Sequence, residues 1–194
     1  MFTNIIFLDE EGNHMLAALR NNQKDAFLNL LSDQGVYKIS NIKVVPRPAL
    51  YRSVDQEMAI NFYYKTRIDK VPDTGIIPRY KFELKEFEEM KDYVNNVKTF
   101  IDVMGMVISY GHLETRTNGA RKMDVILANA RNENLAVSLW ENKALEFQKS
   151  LATAVKGAVF VVITGLLAKK FSDRVFLSSS DATTYLNIDY APLG

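Results

Sequence analysis

Residues 8–37 read LDEEGNHMLAALRNNQKDAFLNLLSDQGVY, and residues 128–159 read ANARNENLAVSLWENKALEFQKSLATAVKGAV. Each stretch has a polar turn, a strand of small apolar residues, a short helix, a glycine and an apolar strand. Arg20 of the first stretch aligns with Trp140 of the second, at an offset of 120 residues. Small five-stranded barrels carry a short helix between their third and fourth strands in this order. The repeat therefore predicts a mainly β chain of two tandem barrels, a type that usually binds long, thin ligands.

The composition is that of an ordinary globular protein. The chain has 194 residues, 47% hydrophobic and 24% charged, with a net charge of +1, which leaves room for two domains of roughly 100 residues. Nonspecific duplex binders are usually much more basic, so a nucleic-acid ligand would require locally clustered charge and aromatic stacking. There is no cysteine, which excludes a disulfide scaffold and a cysteine-ligated zinc site. We expect no cofactor and no metal.

No segment looks suited to a membrane. The longest apolar run, residues 158–168, is far shorter than the roughly 20 residues that a membrane span needs. The amino-terminal residues contain acids soon after a short apolar run and do not resemble a secretory signal. We therefore expect an intracellular, soluble protein without a membrane partner.

The two copies predict domains of unequal completeness. Residues 96–194 contain all the strands of a barrel, whereas residues 1–70 lack the strand that would come first. Residues 71–95, which include two prolines and a glycine, are expected to form a linker and a short helix. An unpaired strand edge invites pairing with another chain. The first barrel is therefore a candidate for dimerisation or for recruiting a strand of a protein partner.

The strand predicted over residues 134–140 carries the only tryptophan of the chain. Its leucines and valine alternate with Ala136, Ser138 and Trp140, and the bulky aliphatic set must face the core. We expect Trp140 on the outer face above small side chains, where it can stack on a base for about 1–3 kcal/mol. The same periodicity also allows Trp140 to pack under the helix that follows it.

Two loops of the second copy combine basic residues with an aromatic one. Phe171 lies in the turn AKKFSDR, and the loop ETRTNGARK precedes the second strand. In barrels of this kind such loops flank the groove in which oligonucleotides lie, and their cations would follow a phosphate backbone. The alternatives are that Phe171 folds back onto the barrel and that the charges are only solvated. The candidate contacts are Phe171, Arg116, Arg121, Lys122, Lys169, Lys170 and Arg174.

The first copy has a weaker version of the same constellation. Tyr51 lies in a loop with Arg47 and Arg52, and Arg20 stands where the second copy has tryptophan. A guanidinium group can stack on a base and also pair with a phosphate. Arg20, Tyr51 and Arg52 are therefore candidate contacts, although an arginine at a strand end is often only a surface residue.

Nothing in the sequence indicates catalysis. His14 and His112 are the only histidines, and no metalloprotease, nucleophile-elbow or phosphate-loop motif is present. We expect a protein that is not an enzyme.

Several stretches of both copies resemble a known family. IDVMGMVISY, ETRTNGARKMDVILANARNENLAVSLW, FVVITGLLAKKF and VFLSSSDATTYLNID resemble the second central DNA-binding OB domain of the replication protein A large subunit. LDEEGNHMLAALR, GVYKISNIKVV and YRSVDQEMAINFYYKTRI resemble the OB domain before it. The chain looks most like the plant large-subunit-like proteins, with a truncated amino terminus.

The resemblance implies two tandem OB folds, the first without its first strand, that bind single-stranded DNA with little sequence preference. By position, Trp140 and Phe171 look like the stacking pair of the second domain, and Tyr51 looks like one member of the first domain's pair. Arg20 departs from the usual aromatic residue. The family's location and roles imply the nucleus, DNA replication and repair. RNA stays open as a ligand, and the runner-up function is a protein-interaction module that uses the open edge of the first barrel.

The resemblance also has gaps. The family's amino-terminal partner-binding domain and its carboxy-terminal zinc-bearing domain have no counterpart in these residues. The family's usual heterotrimer is therefore not expected to assemble around this chain.

Overall fold

The computed structural model describes residues 2–47, 56–96, 98–154 and 157–190. These residues form two compact units, Met1–Lys81 and Phe82–Gly194, which we call unit 1 and unit 2. Both are built mainly from antiparallel strands, and each contains one parallel strand pair. Unit 2 has the closed OB-fold topology that the duplicated sequence predicts, and the strands described in unit 1 follow the same order without a counterpart of the first strand.

Unit 1 contains one helix and six short strands: β1 (Phe2–Leu8), β2 (His14–Arg20), α1 (Asn21–Leu28), β3 (Tyr37–Ser40), β4 (Lys43–Pro46), β5 (Met58–Asn61) and β6 (Arg67–Lys70). One sheet has the order β1-β2-β5-β4, and β3 pairs with β6 in a separate ribbon. The core is small and aromatic. The rings of Phe27 and Phe62 lie 5.1 Å apart between centroids, and Phe7 lies 6.2 Å from Phe62.

The alternating residues of unit 1 predict one long strand over residues 36–45 and another over residues 58–68, and in the structure each is divided in two. The strand expected over residues 36–45 is interrupted at Asn41, which has a φ of 56°, a left-handed conformation that breaks a regular ladder. The strand expected over residues 58–68 is interrupted by a tight turn at residues 63–66, in which the Thr66 N–H donates to the Tyr63 oxygen at 2.9 Å. Asn41 and this turn lie side by side, since the Thr66 hydroxyl donates to the Asn41 oxygen at 2.9 Å.

Unit 2 contains a short 3₁₀ helix, Phe87–Tyr93, and a complete set of barrel elements: β7 (Ile101–Tyr110), β8 (Glu114–Thr115), β9 (Arg121–Ala128), β10 (Asn134–Trp140), α2 (Glu141–Thr153), β11 (Phe160–Phe171) and β12 (Arg174–Leu186). β7 pairs with β9, β9 with β10, β10 with β12, β12 with β11, and β11 with β7 again. The five strands therefore close a barrel. Its interior is filled by fully buried side chains that include Met123, Leu139, Phe147, Ile163 and Leu177.

Within the expected linker-and-helix segment, the sequence LKEFEEMKDYV predicts an amphipathic helix over residues 84–94, and the structure differs from this prediction. Leu84 forms a parallel bridge with Asp102, and the Lys85 N–H donates to the Asp102 oxygen at 2.9 Å. These bonds hold the chain extended along the edge of β7, so only the 3₁₀ turns of Phe87–Tyr93 follow. Phe87 and Met90 are buried in the barrel core.

The two units repeat each other down to single hydrogen bonds. In the first hairpin turn the Asp9 N–H donates to the Asn13 oxygen, and in the second the Asn129 N–H donates to the Glu133 oxygen, both at 3.1 Å. The side-chain oxygen of Asp9 accepts the Asn13 N–H at 2.7 Å, as that of Asn129 accepts the Glu133 N–H at 2.9 Å. The offset of 120 residues that relates the two sequence copies therefore also relates equivalent hydrogen bonds in the two turns.

The units differ at one position of the barrel. In unit 2, β7 lies between β9 and β11. In unit 1, within the described ranges, β1 pairs only with β2 and β3 only with β6. Both of these strands therefore present an unpaired edge, as the missing first strand predicts.

Candidate nucleic-acid interface

Trp140 is the last residue of β10 and lies, half-buried, on the outer face of unit 2. Its indole N–H donates to the Ser178 hydroxyl of β12 at 3.2 Å, and its backbone N–H donates to the Ser179 hydroxyl at 2.9 Å. Leu135, Leu139 and Val137 are buried on the opposite face of the strand. Two serine hydroxyls thus fix the indole on the barrel surface.

Lys122 stands opposite Trp140 in the register of β9 and β10. Its ammonium nitrogen lies 5.7 Å from the centroid of the indole ring and 2.7 Å from a carboxylate oxygen of Asp124. The other carboxylate oxygen of Asp124 accepts the Ser138 hydroxyl at 2.6 Å. The side chain of Lys122 is only 18% exposed, so it is held beside the ring and is not extended into solvent.

Phe171 ends β11 at the tip of the hairpin with β12, and 77% of its surface is exposed. It pairs with Arg174 across the hairpin, and Ser172 makes the turn with a φ of 53°. A large apolar ring on an ordered hairpin tip gains nothing from the barrel core. Its ring is therefore available to stack on a ligand that reaches this hairpin tip.

The loop between β7 and β9 folds back on β9. Within it β8 pairs with the start of β9, so that Glu114 lies opposite Lys122, and the Arg116 N–H donates to the Ala120 oxygen at 2.8 Å. Gly119 closes this small hairpin with a φ of 83°. Arg116, Arg121 and Lys122 are consequently brought to the end of the barrel that carries Trp140.

The two basic loops lie at opposite ends of one outer face. Lys122 is level with Trp140, while the β11–β12 hairpin begins four residues before Ser178, the residue that holds the indole. At about 3.3 Å per residue, roughly 13 Å of strand separates them. The loops therefore border a face formed by β9, β10 and β12.

Phe176 is a residue of this face that the sequence interpretation missed. It lies on β12, half-buried, opposite Lys169 of β11. Its neighbour Leu177 is fully buried, so Phe176 points outward together with Ser178. The alternation of residues 174–180 could have revealed it, because Phe176 and Ser178 share a phase.

Most of the predicted cations are already neutralised by nearby acids. Across the described part of unit 2 the ion pairs of these residues are Arg116–Glu114 at 3.7 Å, Arg121–Glu141 at 3.5 Å, Lys122–Asp124 at 2.7 Å and Lys170–Asp173 at 3.5 Å. Lys169 and Arg174 form no ion pair within the same residues. The positive charge available to a ligand is thus concentrated on β11 and β12.

In unit 1, Arg20 occupies the position of Trp140. It ends β2, is exposed, and pairs with Phe2 as Trp140 pairs with Lys122. The Arg20 N–H donates to the side-chain oxygen of Gln23 at 3.2 Å, and the Gln23 amide donates to the Phe62 oxygen at 2.7 Å. Tyr51 and Arg52 lie outside the described residues.

The described residues offer neither a metal cluster nor a membrane helix. Among them, no three His, Asp or Glu side chains are placed to hold a metal ion. In the same ranges, no helix has the length and apolar character required to cross a bilayer.

Two family models together cover most of the chain. Residues 2–93 match the family described as "Domain of unknown function DUF223", and residues 86–174 match "Domain of unknown function (DUF8448)". The boundary between the two matches falls close to the boundary between units 1 and 2.

The chain is also similar to characterised proteins. Replication factor A protein 1 of Schizosaccharomyces pombe is 30% identical over 148 residues, which are 74% of this chain and 24% of that protein. One of the replication protein A 70 kDa DNA-binding subunits of Arabidopsis thaliana is 24% identical over 190 residues, 95% of this chain and 30% of that one. This chain therefore spans less than a third of the length of these relatives. Their names are those of replication and DNA-binding proteins.

A solved structure of a replication protein A heterotrimer bound to ssDNA matches the fold. The TM-score is 0.68 at 24% sequence identity, and the match covers 97% of this chain and 44% of that chain. Because the match covers nearly the whole of this chain, both units are similar in fold to parts of that structure.

Proposed function

We propose that this chain, which is homologous to the 70 kDa large subunits of replication protein A, binds single-stranded DNA on the outer face of unit 2. The observation that carries the proposal is the presence of two aromatic rings on that face. The indole of Trp140 is fixed there by Ser178, and the phenyl ring of Phe171, at the end of the face, is 77% exposed. We call the surface formed by Trp140, Phe171, Phe176, Lys169 and Arg174 the stacking face.

Stacking supplies most of the binding energy in this proposal. Each base–aromatic stack is worth about 1–3 kcal/mol and tolerates any base. The indole is already oriented by Ser178 and Ser179, so little side-chain entropy is lost when a base arrives. Binding should consequently show little sequence preference.

Phosphate contacts contribute less. Arg116, Arg121, Lys122 and Lys170 are paired with carboxylates, and a phosphate must compete with each of these acids. Lys169 and Arg174 are the cations of the described stacking face that have no such competitor. We therefore expect moderate affinity and a shallow dependence on salt.

The biological setting follows from the homology. The relatives' names refer to replication, and we infer a nuclear protein that acts on exposed single strands during DNA replication or repair. These relatives are named as a replication factor and as a DNA-binding subunit, and neither is named as an enzyme. A fluorescent fusion of the chain in plant cells tests the location.

Titration of Trp140 fluorescence tests the proposed function directly. Trp140 is the only tryptophan, so stacking of a thymine on the indole should quench a signal that reports on unit 2 alone. Oligothymidylate and oligouridylate are titrated in parallel, with fluorescence anisotropy of a labelled oligomer as a second readout. A chain that leaves anisotropy unchanged at high micromolar concentration does not have this function.

A second candidate function is favoured by the unpaired edges of β1 and β3. In this alternative unit 1 accepts a strand from a second copy or from another protein, and DNA is incidental. Light scattering at increasing protein concentration distinguishes the two. A dimer that forms without DNA, together with unchanged Trp140 fluorescence on DNA addition, supports the interaction module.

A further inference from the structure

We propose that the turn of residues 62–66 in unit 1, between β5 and β6, is a second stacking site for unpaired bases. This inference rests on the proposed function and extends it from unit 2 to unit 1. Tyr64 at the tip of the turn is 87% exposed. The ring of Tyr63 lies beside it, with centroids 5.6 Å apart and ring planes at 89°.

The turn is rigidly held. The Tyr63 N–H donates to the Thr66 hydroxyl at 3.0 Å, and the Thr66 N–H returns a bond to the Tyr63 oxygen at 2.9 Å. The Thr66 hydroxyl also donates to the oxygen of Asn41 at 2.9 Å. An exposed aromatic pair on an ordered turn is preorganised, so it loses little conformational entropy when a base stacks on it.

Two lysines place positive charge at the rings. The ammonium nitrogen of Lys43 is 4.9 Å from the ring centroid of Tyr63, and that of Lys65 is 5.6 Å from the ring centroid of Tyr64. Neither lysine is in an ion pair among the described residues. This differs from unit 2, where most cations near the aromatic residues are paired with acids. A stacked base brings its phosphates within reach of these lysines.

The turn begins at the strand position that supports the tryptophan backbone in unit 2. In the parallel ladders, Ile60 of unit 1 corresponds to Leu177 of unit 2, because each pairs with the residue three places before the end of the neighbouring strand. Phe62 therefore corresponds to Ser179, which accepts the backbone N–H of Trp140.

Gln23 makes the equivalent connection in unit 1. It accepts the backbone N–H of Arg20 and donates to the oxygen of Phe62, so the end of β2 is tied to the residue that precedes Tyr63. Arg20 replaces the tryptophan at the end of β2. The rings of Tyr63 and Tyr64 follow Phe62 directly, in the turn after β5. The stacking surface of unit 1 is thus moved from the end of β2 to the turn after β5.

The exposed tyrosine pair could instead contact a protein. The unpaired cations at both rings favour a polyanion with flat bases, because stacking and phosphate pairing use the two parts of the turn together. Protein contact is kept as an outcome of the test.

The experiment compares oligothymidylates of two lengths, about 10 nucleotides, which one OB fold can hold, and about 30, which can reach both units. In the Tyr64→Ala variant the short oligomer should quench Trp140 as it does in the unaltered chain. The affinity for the long oligomer should fall by about fivefold or more. Tyr64→Phe keeps the flat ring and should bind like the unaltered chain. Because Tyr64 is mostly exposed, circular dichroism should confirm that both variants are folded.

A second variant reports on contact at the turn itself. In a Trp140→Phe background, Tyr64→Trp makes the turn the sole source of tryptophan fluorescence, which the long oligomer should quench. The inference fails and the proposed function stands if the long oligomer quenches Trp140 in the unaltered chain but does not quench the tryptophan of the Tyr64→Trp variant. In that case Tyr64→Ala should also bind the long oligomer with unchanged affinity. If Tyr64→Ala changes only self-association, the turn is a protein contact and the inference also fails. If no oligomer binds the unaltered chain, the proposed function fails first.

Discussion

Lys122 and Trp140 face each other across β9 and β10, with the ammonium nitrogen 5.7 Å from the indole centroid. Asp124 holds the same nitrogen at 2.7 Å. The cation is therefore shared between a ring and a carboxylate before any ligand arrives. A phosphate that binds Lys122 must displace Asp124 from it. The net gain in binding free energy is therefore only the difference between the Lys122–phosphate and the Lys122–Asp124 interactions. This relationship is the physical reason to expect that the rings dominate binding.

Removing both rings of the stacking face should remove most of the affinity for single-stranded DNA. With about 1–3 kcal/mol per stack, the Trp140→Ala and Phe171→Ala double variant should bind at least about 30-fold more weakly by anisotropy. Phe160→Ala is the matched control, because Phe160 is 55% exposed on β11 and pairs with Met106 of β7, away from this face. Equal affinities of the double variant and the control would reject the stacking proposal.

Removing the acid beside Lys170 should strengthen binding. Asp173 is fully exposed and lies 3.5 Å from the Lys170 ammonium, and exposed pairs of this kind are weak and screened by salt. Asp173→Asn should therefore tighten binding by no more than about fivefold at low salt, and the gain should shrink as salt is added. Asp189→Asn makes the same change in net charge at another exposed acid. A similar gain in both variants would mean that only net charge matters.

The stability of unit 2 should contain a component that falls as pH rises through 6. Burial raises the pKa of Asp102 from 3.8 to about 6, with the nearby Glu83 adding to the rise, while N–H groups of Glu83 and Gly165 and the charge of Lys85 oppose it. The folded state thus binds more protons than the unfolded state between pH 4 and 6. By linkage, ionising Asp102 costs up to about 3 kcal/mol of unfolding free energy at neutral pH.

Asp102→Asn isolates this component, because the variant is neutral at every pH. Its unfolding free energy relative to the unaltered chain should rise by a few kcal/mol between pH 4 and pH 7 in urea titrations. The absolute offset also includes an acceptor that asparagine lacks for one of the two N–H groups. A difference that stays constant over this range, or a carboxyl carbon that titrates near 4 by NMR, would contradict the assignment.

Gly105 on β7 should not tolerate a side chain. A Cβ atom there would lie 2.9 Å from the Ala128 oxygen and 3.2 Å from the ring of Phe87, so Gly105→Ala should destabilise unit 2 by about 1–3 kcal/mol. Gly111→Ala is the comparison, because the nearest atom would be 3.7 Å away. Chemical denaturation that shows equal stability for both variants would disprove this close contact.

The outer position of Trp140 could be predicted because the strand alternates strictly between large aliphatic and small residues. The same reasoning is wrong for residues 58–68, where the sequence predicts one strand and the structure has two, β5 and β6. The turn sequence Tyr63-Tyr64-Lys65-Thr66 has neither glycine nor proline, and tyrosine and threonine favour strands. Besides the hydrogen bonds between Tyr63 and Thr66, the turn is held by the contact of Thr66 with Asn41, 25 residues away. Local sequence does not contain that information.

The charges of the candidate site show a second limit. The loop of Arg116, Arg121 and Lys122 is basic in sequence, yet Arg121 meets Glu141 from the start of α2. This pair forms only in the folded barrel, because its two residues are 20 positions apart, whereas Arg116, Lys122 and Lys170 pair with acids two or three residues away.

Phe176 was overlooked for a different reason. The sequence alternates Phe176 with the apolar Leu177, which already indicates that the two side chains point to opposite faces. Phe171 in the neighbouring turn is flanked by lysines and so gives the stronger signal in the sequence.

The parallel pair β10–β12 has a consequence for the timing of folding. Val137 pairs with Leu177, 40 residues later, and Ser178 is the indole's hydrogen-bond partner. Such non-local pairings form late, since the intervening chain must be ordered first. As a ribosome synthesises the chain, Trp140 emerges long before its serine supports. A nascent chain that stops before β12 therefore has the tryptophan without a surface on which to display it.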